Sequence, residues 1–90
     1  NYLGNNYESC VITAQNALKD YPYTKRKEDL SMLILKSKYQ EAIQSVEEKK
    51  IERFRDVIDE YYSFINDFPD GANAKDAKKI FNVASKYVKD

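Results

Sequence analysis

The stretch KDYPYTKRKEDL (residues 19–30) breaks a helical pattern at a Tyr-Pro pair and restarts it at once with charged residues. The same layout returns in NDFPDGANAKDA (residues 66–77). Asp20, Tyr21 and Pro22 stand 47 positions before Asp67, Phe68 and Pro69, and Asp29 stands 47 before Asp76. Proline has no backbone N–H and pushes the residue before it toward extended geometry, so each pair ends a helix. A chain that repeats such a corner is built from repeated helical units.

Working outward from the first corner, Tyr7, Cys10, Val11, Ala14, Ala17, Leu18 and Tyr21 recur in steps of three and four, one face of an α-helix. Thr24 is placed to cap the next helix. That helix is apolar on two sides. Leu30, Leu33, Ile34 and Ser37 lie on one, and Met32, Leu35, Tyr39, Ala42 and Val46 on the other. Such a helix must be packed between neighbours. From Ile51 a single broad stripe follows: Phe54, Val57, Ile58, Tyr61, Ile65 and Phe68. Residues 72–89 carry Ala77, Ile80, Phe81, Ala84, Tyr87 and Val88 on one face, backed by Lys75, Lys78, Lys79, Lys86 and Lys89. One polar side and one apolar side suit a helix that caps the end of an array.

No Gly or Pro interrupts residues 23–68. One helix of that length would run to about 65 Å, with little to bury it. A hairpin is predicted instead, with helices over 24–44 and 46–67 and a reversal between residues 44 and 51. SVEE (residues 45–48) fits a capping box, in which Ser45 and Glu48 satisfy each other's backbone donors.

The whole chain of 90 residues is expected to form one all-α domain. Lys plus Arg and Asp plus Glu each total 15, so the charge balance gives no support to a nucleic-acid partner. A single cysteine makes no internal disulfide. Cys10 sits at a small-residue position of an apolar stripe and is expected in the core. With no His, no Gly-rich phosphate loop and no clustered Cys, nothing supports catalysis, and no cofactor or metal site is expected. Asp59 and Glu60 point about 100° apart on a helix and do not converge on a substrate.

Tyr7, Cys10, Ala14, Ala17 and Pro22 have spacings of 3, 4, 3 and 5, which Phe54, Val57, Tyr61, Phe64 and Pro69 repeat. This pattern resembles the second helix of a tetratricopeptide repeat. The period here is 47 rather than 34, the extra residues lengthening the hairpin of residues 24–68. Val57 and Phe64 stand where that family has small residues. The resemblance implies a solenoid of helical hairpins with an extended central hairpin. It also implies that Gly4 lies in the turn of a repeat whose first helix is upstream, so that N-terminal repeats are missing.

A narrower resemblance rests on DYPYTKRKEDL, DFPDGANAKDAKKI and the charged hairpin KSKYQEAIQSVEEKKIERF. Together they look like the C-terminal part of the BamD family, outer-membrane assembly lipoproteins of Gram-negative bacteria. That likeness implies a non-enzymatic protein–protein interaction scaffold at the periplasmic face of the outer membrane. It would be held there by a lipid anchor outside these residues and would bind the periplasmic domains of the barrel-forming assembly subunit. The alternative is another bacterial tetratricopeptide adaptor, binding a peptide or a regulatory partner.

The two-sided helix supplies candidate site residues. Asp29, Lys36 and Gln40 lie on one strip between its apolar stripes and are expected to face a concave groove, the usual peptide site of helical arrays. Tyr62, at the edge of a core stripe, and Tyr23 are candidate interface anchors. Plain solvated surface is the competing reading for all of them, and for the cluster Lys25, Arg26 and Lys27. Finally, an open edge formed by Tyr7, Val11, Ala14 and Leu18 is expected to support a homodimer.

Overall fold

A computed structural model describes residues 3–88, with burial described from Tyr7 onward. Four helices follow one another: α1 (Leu3–Asp20), α2 (Lys27–Ile43), α3 (Glu47–Asp67) and α4 (Ala74–Val88). There is no strand among the described residues. Each helix packs on the next, and α4 also reaches back to α2. The molecule is a slab of 38 × 31 × 15 Å.

The 47-residue repeat is present in the backbone. In the first corner Tyr21 N–H donates to Ala17 C=O at 2.9 Å, Thr24 to Tyr21 at 3.1 Å, Lys27 to Thr24 at 3.2 Å and Leu30 to Arg26 at 2.9 Å. In the second corner Phe68 donates to Phe64 at 2.8 Å, Gly71 to Phe68 at 3.2 Å, Ala74 to Gly71 at 3.1 Å and Ala77 to Asn73 at 2.9 Å. Every donor and every acceptor is displaced by 47. Helices α1 and α3 end at Asp20 and Asp67, and α2 and α4 begin at Lys27 and Ala74, at the same displacement. The two prolines therefore set one backbone path, used twice.

The expected hairpin is found, with its reversal over residues 44–46. The capping box is not. Val46 takes the N-cap position in extended geometry, and no side chain caps α3. Ser45 Oγ instead donates to Glu41 C=O at 2.7 Å and accepts from Arg53 Nη1 at 3.1 Å. Arg53 also pairs with Glu41 at 3.2 Å. The serine is thus used one position early, tying the two arms rather than capping one. Glu47 and Glu48 still lie in the first turn of α3, where the exposed N–H groups favour negative charge. Thr24 is likewise not the N-cap of α2, a place held by Arg26. Its hydroxyl accepts from the Arg26 N–H at 3.1 Å, holding the corner two residues upstream of the helix.

Both faces of α2 are used, as its sequence requires. Ile34 joins Val11 and Ala14 of α1 in a small core, with Leu18 and Leu30 against it. Met32, Leu35 and Ala42 join Phe54, Val57, Tyr61 and Phe64 of α3 and Ala77, Ile80 and Ala84 of α4 in the larger one. Alanines at 0–1% exposure (Ala14, Ala42, Ala77, Ala84) let neighbouring helices approach closely. Val57 and Phe64, bulky where small residues were the pattern, are accommodated at 0% and 2% exposure. Flat aromatic contacts flank the core, the exposed Tyr87 stacking on Phe54 at 4.3 Å and Phe81 on Tyr61 at 4.6 Å.

Several stripe residues are not core. Leu33, Val46, Ile51 and Tyr87 are exposed, lying at the margins of their stripes or in the hairpin turn. Tyr21 is 69% exposed and Cys10 is exposed as well, against the expectation of burial. Gly4 lies inside α1 rather than in a turn. The expected open edge is also corrected. Val11 and Ala14 are buried against α2 and Leu18 packs beside them, so they cannot form a free surface. Lys89 lies outside the described residues.

Candidate functional site: a groove between α2 and α4

Because α3 reverses the chain between them, α2 and α4 run in the same direction and start at equivalent corners. Between them lies an open groove whose larger hollow, about 440 Å³, has Met32, Tyr39, Ile80 and Val83 among its walls. Lys36 and Gln40 from α2, and Asp76 and Lys79 from α4, rim the same hollow. A second hollow adjoins it through Met32 and Lys36 and is closed by Asp29 and Asn73. The groove thus has an apolar floor and a charged rim, the composition of sites that hold a peptide or small ligand.

Helical register orders that rim. Asp29 lies in the first turn of α2 and Asp76 in the first turn of α4, so both carboxylates mark one end. Lys36 and Lys79 lie further along. Glu28 fixes this acidic end. Its Oε2 accepts from the Asn73 backbone N–H at 2.9 Å and from Asn73 Nδ2 at 3.4 Å, tying the start of α2 to the start of α4. Gly71 leaves room for this approach, since a Cβ there would displace the Glu28 carboxylate from its present position. Along the other side of α2, Lys38 Nζ meets Glu60 Oε1 at 2.9 Å and holds α3 in register.

Of the residues singled out in the sequence, Asp29, Lys36 and Gln40 come together in this groove. Tyr62 does not. It stands 55% exposed on α3, against Tyr61 at 5.6 Å and Phe81 at 5.5 Å. Tyr23, 96% exposed, is at the first corner. Asp76, Lys79 and Asn73 were missed as site residues. The signal for Asp76 was present, since it is the 47-residue counterpart of Asp29. Lys79 is exposed, as its place on the polar side of α4 predicts, and the return of α4 onto α2 sets it at the rim of the groove. Among the described residues, no cluster of three His, Cys, Asp or Glu side chains is placed to hold a metal ion. No helix there is long and apolar enough to cross a membrane.

No family model, no curated protein and no solved structure matches this chain.

Proposed function

We propose that this protein is a non-enzymatic interaction scaffold of the tetratricopeptide kind, whose α2–α4 groove receives a segment of a partner protein. The observation that carries the reading is the groove itself: an apolar floor with two carboxylates at one end and two lysines beyond, on helices set by a repeated corner. In such arrays the first helices of successive hairpins line a concave face that binds peptides. The contact of α2 with α4, added to the contacts of neighbours along the chain, supports that arrangement.

The resemblance of the corner and hairpin segments to the BamD family supports a choice of partner. We propose a place in the outer-membrane β-barrel assembly machinery, with the barrel-forming subunit's periplasmic domains as the bound protein and the periplasmic face of the outer membrane as the site of action. In that reading attachment rests on a lipid anchor outside these residues.

The test is a titration of the 15N-labelled chain with the isolated periplasmic domains. Shifts are expected at Lys36, Gln40, Asp76 and Lys79. Reversing charge in the doubly substituted Asp29→Lys, Asp76→Lys protein should weaken binding about tenfold, equivalent to about 1.4 kcal/mol. Tyr62→Ser should leave it unchanged. No shift in the groove would remove this partner from consideration. Co-purification of the native protein from membranes with cytoplasmic partners only would favour the tetratricopeptide adaptor instead.

A further inference from the structure

The charges of α2 fall into two groups. On the side facing α3, Lys38 pairs with Glu60 at 2.9 Å and Glu41 with Arg53 at 3.2 Å. On the side facing α4, Asp29 and Lys36 are exposed, as are Asp76 and Lys79 on α4 itself. Among the described residues, none of these four takes part in an ion pair.

Their placement explains the difference. Asp29 and Asp76 mark the end of the groove where both helices start, and Lys36 and Lys79 come further along. Like charges thus stand at the same end. On α2 the seven residue steps from Asp29 to Lys36 separate the two ends by about 10 Å of helix. The counter-charge at each end is left to solvent ions or to a bound molecule. Between the ends the floor is apolar. Met32 and Ile80 are nearly closed off at 3% and 9% exposure, and Tyr39 and Val83 are half-buried beside them. Gln40 adds an amide able to donate to and accept from a peptide backbone.

We propose that the groove receives an extended polypeptide segment with a basic, an apolar and an acidic residue at alternate positions. The basic side chain lies between Asp29 and Asp76, the apolar one over Met32 and Ile80, and the acidic one between Lys36 and Lys79. This rests on the reading of the groove as a partner-binding site and adds the chemistry of what binds there.

Spacing selects the extended form. Alternate side chains of an extended chain share one face, so three of them span about 13 Å. The two ends of the groove are about 10 Å apart along α2, and long lysine stems cover the difference. Charge disfavours the simpler occupants. A nucleic acid or a uniformly acidic peptide sets its charge against Asp29 and Asp76, and a uniformly basic peptide sets its own against Lys36 and Lys79. Chain direction is left open, since a segment lying either way can present the same order.

Three capped peptides test that order: Lys-Ser-Leu-Ser-Glu, Lys-Ser-Leu-Ser-Lys and Glu-Ser-Leu-Ser-Glu, each flanked by Gly-Ser and titrated into the 15N-labelled chain at low salt. The mixed peptide should bind about five- to tenfold more tightly than either other, with shifts at Lys36, Gln40, Asp76 and Lys79. In about 0.5 M NaCl the preference should shrink to about twofold or less. In the Lys36→Glu, Lys79→Glu protein the all-basic peptide should become the best ligand, a gain that loss of folding cannot produce. Equal affinity for the three peptides, or a uniformly charged peptide binding best to the unsubstituted chain, overturns the inference and leaves the groove a peptide site. An unchanged ranking in the doubly substituted protein does the same. No shift in the groove with any peptide up to millimolar concentration overturns the inference together with the reading on which it rests.

Discussion

The two corners share one backbone and differ in how they are held. At residues 21–30 the corner is closed by its own Thr24 hydroxyl, and its aromatic residue, Tyr21, is in solvent. At residues 68–77 the position of Thr24 is Gly71, and the space this leaves is taken by the Glu28 carboxylate, brought in from the start of α2. There the aromatic residue, Phe68, packs on Phe64 at 5.4 Å. The same local signals thus serve a self-contained turn in one place and a tertiary joint in the other. Backbone geometry at a proline corner is local, but what the corner is attached to depends on which side chains arrive from outside.

The largest effect expected from breaking this comparison is at Phe64. Removing its ring leaves a cavity in the larger core, so Phe64→Ala should cost about 3–5 kcal/mol in urea unfolding. Its counterpart Ala17 has a half-open site, and Ala17→Ser should stay within about 0.5 kcal/mol. Equal effects at the two positions would mean that α1 and α3 are buried alike.

A sharper test exchanges the two ways of closing a corner. Glu28→Ala removes the acceptor of the Asn73 N–H and should cost about 1–3 kcal/mol. Adding Gly71→Thr supplies a hydroxyl where Thr24 has one, and should recover about 0.5–1 kcal/mol of that loss. In the presence of Glu28 the same Gly71→Thr change should instead destabilise, because the side chain and the carboxylate compete for one space. If Gly71→Thr has the same sign in both backgrounds, the correspondence of the corners does not extend to their side chains.

Smallest of all should be Tyr21→Ser, within about 0.5 kcal/mol, set against about 1–2 kcal/mol for Phe68→Ser. Chemical unfolding of the two variants measures both.

Much of the architecture was legible because it rests on short-range constraints. Pro22 and Pro69 follow the ends of α1 and α3, at Asp20 and Asp67, by two residues, and the double stripe of α2 required neighbours on both sides. The errors came where a residue had more than one possible partner. Ser45 and Glu48 fit a capping box, yet Arg53 and the Glu41 carbonyl compete successfully for the serine. Cys10 matches the buried Val57 in pattern, but burial needs a covering helix, and only α3 has one on that side.

The groove divides in the same way. Asp29, Lys36 and Gln40 could be placed together on one strip of α2 because helical periodicity fixes angles within a single helix. That Asp76 and Lys79 face them, while Tyr62 stands on a separate surface beside Phe81, follows from the return of α4 onto α2. The sequence alone determined the helices, their order and the repeated corners, since dihedral restriction and periodicity act over a few residues. Only the tertiary structure decided which stripes are covered and which charges meet across the groove. Burial and charge pairing are properties of two surfaces, and each helix's sequence describes one of them.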